Sequence, residues 1–226
     1  VETEGGTLLL KRISPDTDVP AFHKRLELCQ WLNAKSLPVP GVHVDRNGDH
    51  ITGHSGELWC LFPFIDGTFF SGRTDRECGS AAKHIGRLIK NLKKVPDKLA
   101  LPQTWTYCLS ADDELMEGMR KRKSDWDEFF GSEIAVQLAE EWDYVEAKFS
   151  ELKSGKEHIE ASPKQVCHTD LHPHNILIYD EELATFLDFE AFNVINRGPP
   201  LAWGVYKLIR QSASARKLGG DPGAIN

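Results

Sequence analysis

The hydrophobic pattern of this chain changes period near residue 76, and that change limits the possible folds more than any other feature. Before it, residues 42–67 (VHVDRNGDHITGHSGELWCLFPFIDG) carry alternating apolar residues around Asn47-Gly48, the dipeptide suited to a tight hairpin turn, and then a buried run, LWCLF. Residues 7–13 (TLLLKRI) suit another strand with Lys11 near its end, and EGG followed by TLLLKRI reads as the second half of a hairpin. Between these, Phe22, Leu26, Cys29 and Leu32 or Asn33 recur at helical spacing until LPVPG ends the helix. Residues 1–66 therefore read as a small sheet carrying one helix.

After the change the period is 3.6. Ala81, Ala82, Ile85, Leu88, Ile89 and Leu92 share one helical face, and Ala135, Leu138, Trp142, Val145, Phe149 and Leu152 share another. Ser132, with Glu133 behind it, is the expected cap of the second helix. Residues 111–130 are expected to form a solvated helix because of their charge density. The sheet-rich part should give way to the helical part at residues 65–72 (IDGTFFSG), so residues 67–226 form the second expected domain.

At 226 residues and 40% hydrophobic the chain can fill a core. Cys29, Cys60, Cys78, Cys108 and Cys167 are odd in number, scattered and never in a CxxC pair, which argues against a disulfide framework and for reduced, cytosolic thiols. No stretch is long and apolar enough for a membrane helix, and the first ten residues have no basic and apolar leader. A soluble, cytoplasmic protein without a membrane partner is the expectation. The net charge of −7 disfavours nucleic acid as a partner. Oligomeric state is not legible.

The chemistry is concentrated in residues 167–190, CHTDLHPHNILIYDEELATFLDFE. His168, His172, His174 and Asp170 suggest a metallohydrolase-like cluster, but Pro173 interrupts it and no later group of His or Cys completes a tetrahedral site. The other polar residues have a tighter logic. Asp170 and Asn175 lie on one loop, an apolar hairpin with a turn at Asp180-Glu181-Glu182 reverses the chain, and Asp188 returns beside Asn175. Two hard oxygen ligands then meet at one Mg²⁺.

CHTDLHPHNILI followed by FLDFE resembles the catalytic and metal motifs of the aminoglycoside phosphotransferase and choline kinase superfamily, the small-molecule branch of the protein-kinase-like fold. Asp188-Phe189-Glu190, in place of Asp-Phe-Gly, points to that branch. The resemblance implies an α+β, two-lobed fold: a small antiparallel-sheet amino-terminal lobe with one helix, and a larger, mainly helical carboxy-terminal lobe. It implies transfer of the γ-phosphoryl group of ATP, with Mg²⁺, to a hydroxyl of a small molecule. Asp170 takes the place of the base and His168 braces its loop. Asn175 and Asp188 take the metal, and Lys11 takes the α and β phosphates with Glu27 as its carboxylate partner. The adenine edge falls at Pro63, Phe64 and Ile65.

Several positions depart from the family pattern. No glycine-rich loop precedes Lys11, Thr169 and His174 stand where glycines are usual, and NVINRGPPLAWG lacks the acid that buttresses the catalytic loop. The chain also stops soon after LAWGVYKLIRQ, so carboxy-terminal helices that shape the acceptor pocket are expected to be absent. Asp112, Asp113, Glu114 and Asp127 favour a cationic acceptor, whereas the helix closing in LPVP resembles homoserine-kinase-like relatives. Two alternatives remain at this level: a hydrolase using His168, His172 and His174, and a nucleotide-binding module without activity.

Overall fold

The computed structural model describes residues 1–101 and 109–218, with side chains withheld from description at 109–112 and 218. The described residues of Val1–Trp105 and Lys164–Asn226 form one compact unit, and those of Thr106–Pro163 form a second. The expected boundary at residues 66/67 lies inside the larger unit.

In that unit, β1 (Glu2–Thr3), β2 (Gly6–Arg12), β3 (Thr52–His54) and β4 (Glu57–Pro63) make an antiparallel sheet in the order β1-β2-β4-β3. Lys11 lies opposite Cys60 and Leu9 opposite Phe62, so these four side chains share one face of the sheet. The β3–β4 turn is at Ser55-Gly56, both with positive φ, and not at Asn47-Gly48 as the sequence suggested. The reason is local. Asp45 accepts hydrogen bonds from the N–H groups of Asn47 and Asp49, so its side chain closes the turn, and His43 has a single main-chain bond, to Leu61 O.

The first helix, α1 (Val19–Asn33), starts at Asp18, whose carboxylate accepts from Ala21 N at 3.0 Å, and has Pro20 in its first turn. It buries Phe22, Leu26, Leu28, Cys29 and Leu32. Residues 65–72 are more ordered than a linker: β5 (Thr68–Phe69) pairs with β7 (Ile176–Tyr179), which pairs with β8 (Glu182–Phe186). A Cβ at Gly67, φ +154°, would stand 2.8 Å from Ile178 O, so the close approach of these backbones requires glycine.

Thr74 caps α2 (Asp75–Leu92), accepting from Glu77 N, while the buried Glu77 carboxylate accepts from Ser71 and from Arg73 N. Ala81, Ile85, Leu88 and Leu92 are buried as the period implied, but Ala82 faces outward. The strand β6 (Lys164–His168) pairs with β9 (Phe192–Asn196), and α7 (Gly198–Leu218) ends the described chain. One continuous core joins α1, β4, α2 and the β7–β8 hairpin.

The smaller unit holds α3 (Leu109–Lys121), α4 (Trp126–Phe130), α5 (Ser132–Ser154) and α6 (Lys156–Ala161), the first three packed around Trp126, Ala135 and Trp142. The indoles lie 4.9 Å apart. Ser132 is the first residue of α5 and makes no cap. Gly131, with φ 79°, occupies that position without a side-chain bond, and Leu152 is exposed. Residues 111–130, expected as one helix, are split between α3 and α4 by a 3-10 turn at Lys123–Asp125.

Cys29, Cys60 and Cys167 are buried and unpaired, and Cys78 is half-buried; Cys108 lies outside the described residues. Burial raises the Cys60 and Cys167 thiols to about 11 each, which leaves them protonated and unreactive at neutral pH. Among the described residues no helix is long and apolar enough to cross a membrane.

Candidate active site

The site grows from a strand, a loop and a hairpin. The β6 strand delivers His168, a loop carries Asp170, and a 3-10 turn at Pro173–Asn175 leads into β7. The two-residue turn at Asp180-Glu181, both with positive φ, returns the chain through β8. Leu187 N then donates to Asn175 O at 2.9 Å, which sets the next residue, Asp188, beside the base of the hairpin. Asp188 itself is in the left-handed region, φ 55° and ψ 58°. For a non-glycine residue that costs free energy and is a mark of functional segments.

His168 is 3% exposed, and its surroundings fix its tautomer. Leu187 O can only accept, so Nε2 at 2.8 Å carries the proton; Asp170 N can only donate, so Nδ1 at 3.3 Å accepts. Burial lowers the pKa of the imidazole and keeps it neutral. With both nitrogens engaged, His168 positions Asp170 and offers nothing to a metal or a proton. His172 and His174 stack edge-on at 5.5 Å, and His174 also packs against Phe69. Among the described residues no group of three or more His, Cys, Asp or Glu is placed to hold a metal. The hydrolase alternative therefore has no ligand set here.

Asn175 Nδ2 donates to the Asp170 carbonyl at 2.8 Å and to its carboxylate at 3.4 Å. This turns the amide oxygen of Asn175 away from Asp170 and leaves it available. The Asp188 carboxylate is exposed and makes no hydrogen bond or ion pair among the described residues. An amide oxygen and an unpaired carboxylate at the mouth of one hairpin suit a hard divalent cation.

Lys11 forms its ion pair with Glu190, not with Glu27. Its Nζ also lies 5.1 Å from the centre of the Phe189 ring, which packs on Phe22 and Phe62. Glu27 instead accepts from Lys24 at 2.8 Å, and that bond lowers its pKa against the opposing effect of burial. Glu190 is the site residue that sequence reasoning missed. It stands two positions after Asp188 in the quoted DFE, and its offset from that aspartate was the available signal. At the expected adenine edge, Phe64 N–H already donates to Thr7 O at 3.1 Å and the ring is exposed, while Ile65 is half-buried.

The departures in the loop are accommodated. Thr169 Oγ1 donates to Ala191 O at 2.9 Å and accepts from Asn193 Nδ2 at 3.2 Å; Arg25 in turn bonds Phe192 O and Asn193. This network braces the loop where the usual acid is lacking. Trp203 on α7 adds an indole N–H 3.4 Å from the Asp170 carboxylate. Gly204, buried beneath it, lets α7 approach closely, since a Cβ there would lie 3.0 Å from Leu171 Cβ and 3.2 Å from Leu171 O.

An antiparallel sheet with a strand lysine, joined through one core to a catalytic-type loop and a metal-type hairpin, defines a kinase-like phosphotransferase fold. A solved spectinomycin phosphotransferase in complex with ADP and spectinomycin superposes with a TM-score of 0.64 at 12% identity, over 97% of this chain and 69% of that one. An aminoglycoside phosphotransferase from Alicyclobacillus acidocaldarius gives 0.62 at 15% identity, over 94% and 64%. At such identities the likeness speaks for the fold.

The chain belongs to the phosphotransferase enzyme family, whose sequence model matches residues 1–198. Curated relatives include the homoserine kinase of Beijerinckia indica, 27% identical over 193 residues, 84% of this chain and 54% of the relative. That of Zymomonas mobilis is 25% identical over 186 residues, 81% of this chain and 51% of the relative. The chain thus spans about half the length of these relatives.

Proposed function

We propose that this chain carries the phosphoryl-transfer centre of an ATP-dependent kinase acting on a hydroxyl of a small molecule. The observation that carries the reading is the meeting of Asp170, Asn175 and Asp188 at the base of one hairpin, with the Lys11–Glu190 pair on the strand above Phe189. Phosphoryl transfer needs position and charge stabilisation more than covalent chemistry from the protein, and these residues supply both.

Asp170 orients the acceptor hydroxyl and takes its proton. Its carboxylate is held by Asn175 Nδ2 and by the Trp203 indole, with His172 Nε2 3.4 Å from Oδ2, and neutral His168 fixes its main chain. Lys11 would face the α and β phosphates, with Glu190 as the carboxylate that holds it when no nucleotide is bound. Asn175 and Asp188 are the residues that would hold Mg²⁺, which when bound screens the charge of the triphosphate. The adenine would sit against residues 63–65, where Pro63 ends β4 and Phe64 and Ile65 follow it.

Replacing Asp170 with Asn tests this assignment, because the amide keeps the shape and loses the base. Transfer should fall by about 10²- to 10⁴-fold while nucleotide affinity is retained. Unchanged turnover would remove Asp170 from the chemistry. The named relatives represent two acceptor chemistries: homoserine, which carries a carboxylate, and spectinomycin, an aminoglycoside-type amine.

A further inference from the structure

The catalytic loop and α7 together wall a cleft of about 360 Å³, lined by Asp170, His172, His174, Trp203, Lys207 and Arg210. Trp203, Lys207 and Arg210 stand at i, i+4 and i+7 and so share one helix face, which Gly204 draws against the loop. At 1.5 Å per residue, Lys207 and Arg210 are rooted about 6 and 10 Å along α7 from the indole that reaches Asp170. Lys207 Nζ sits 4.4 Å from the centre of the Trp203 ring, which holds it on the cleft side. Among the described residues neither cation is paired with a carboxylate, although the chain has 34 acidic residues against 27 Lys and Arg. Two unneutralised cations facing one carboxylate, in an acidic protein, form a local charge pattern that needs a counter-ion.

We propose that Lys207 and Arg210 read a carboxylate on the acceptor, making the substrate a short hydroxy acid whose hydroxyl is presented to Asp170. The proposal rests on the phosphotransfer reading above. Lys207 and Arg210 against Asp170 leave one positive charge, which matches a monoanion; a phosphate dianion would add a second negative charge beside the triphosphate. Arginine's planar fork donates two parallel hydrogen bonds to a carboxylate. A polycationic acceptor meets repulsion at the same pair. This reverses the expectation of a cationic acceptor drawn from Asp112, Asp113, Glu114 and Asp127. Asp113 is bonded to Lys153 at 2.8 Å, Glu114 and Asp127 belong to helices of the smaller unit, and the side chain of Asp112 lies outside the described residues.

The test offers the full-length protein a set of short hydroxy acids that are monoanions at neutral pH, 4-hydroxybutanoate first, each paired with its neutral carboxamide and with a phosphate-bearing analogue of the same length, and zwitterionic L-homoserine beside them. Transfer rates are read beside the thermal stabilisation given by Mg·ATP. The acid should exceed its amide by about tenfold or more in kcat/KM, the size expected of a charge-assisted bond. Lys207→Met and Arg210→Met should erase that preference through KM, leave the Mg·ATP stabilisation intact, and Lys207→Arg should restore part of it. Equal use of acid and amide, preference for the phosphate analogue, use of no member of the set, or a preference that survives both Met substitutions would overturn the inference and leave the phosphotransfer reading standing. Absence of Mg·ATP stabilisation in the unaltered protein would overturn both.

Discussion

Gly204→Ala separates a packing role from helix propensity. An alanine Cβ at this position would lie 3.0 Å from Leu171 Cβ and 3.2 Å from Leu171 O, whereas ordinary contact begins at 3.4 Å, so α7 must retreat by a few tenths of an ångström from the loop that carries Asp170. Overpacking of this kind costs about 1–3 kcal/mol. Replacing a helical glycine by alanine gains about 1 kcal/mol, so the net change runs from near zero to about 2 kcal/mol of destabilisation. Gly86→Ala, in α2, is the internal standard, because nothing lies within 4 Å of its Cβ and only the propensity gain remains. The two variants should differ by about 1–3 kcal/mol, or roughly 2–12 °C in melting midpoint for a chain of this size. Thermal unfolding of both proteins provides the comparison, and Gly204→Ala should also raise the acceptor KM by displacing Trp203 and Lys207. A Gly204→Ala protein as stabilised as Gly86→Ala would refute the claim that glycine is needed for the approach of α7.

Asp188→Asn should lower the Mg²⁺ dependence of nucleotide affinity while the fold persists; isothermal titration at several Mg²⁺ concentrations reads it, and an unchanged dependence removes Asp188 from the metal site. Because burial lowers the His168 pKa, the unfolded chain binds a proton below about pH 6.5 that the native state refuses. Stability should therefore fall as pH drops from 7.5 to 5.5, by at most about 1.4 kcal/mol per pH unit from this group, and His168→Gln should flatten that slope in urea titrations. Phe189→Ala removes a ring packed on both Phe22 and Phe62 and should cost about 3–5 kcal/mol, with Phe189→Leu losing much less. Equal losses would mean that the ring contacts are not what anchors the DFE segment.

The hairpin of the candidate site was legible because its spacing is dictated by chain geometry: a two-residue turn and a return strand bring Asp188 back beside Asn175, while Asp170 is joined to them by the Asn175 side chain. The helices were legible wherever one face packs on a core, as in α1 and α2. Legibility failed where a side chain competes with the backbone or where a partner is distant in sequence. Asp45 closed a turn that Asn47-Gly48 alone would have made a hairpin. Nothing local to Lys11 distinguishes Glu190, 179 residues away, from Glu27 on the next helix. The Asn193–Thr169 brace lies in a stretch where only an acid was sought. The α7 cations fall at helical spacing from Trp203, but their meaning depends on a contact between Gly204 and Leu171 that no periodicity contains.

A Mg·ATP site formed by Lys11, Asn175 and Asp188 would stabilise the fold only when nucleotide and metal are both bound, and thermal unfolding of the full-length protein with ATP, with Mg²⁺ and with both reads this. Nucleotide at about one hundred times its dissociation constant adds about 2.7 kcal/mol, a rise of roughly 5–10 °C. That rise should occur only when both are present; no rise, or the same rise with ATP alone, would remove the Mg·ATP site.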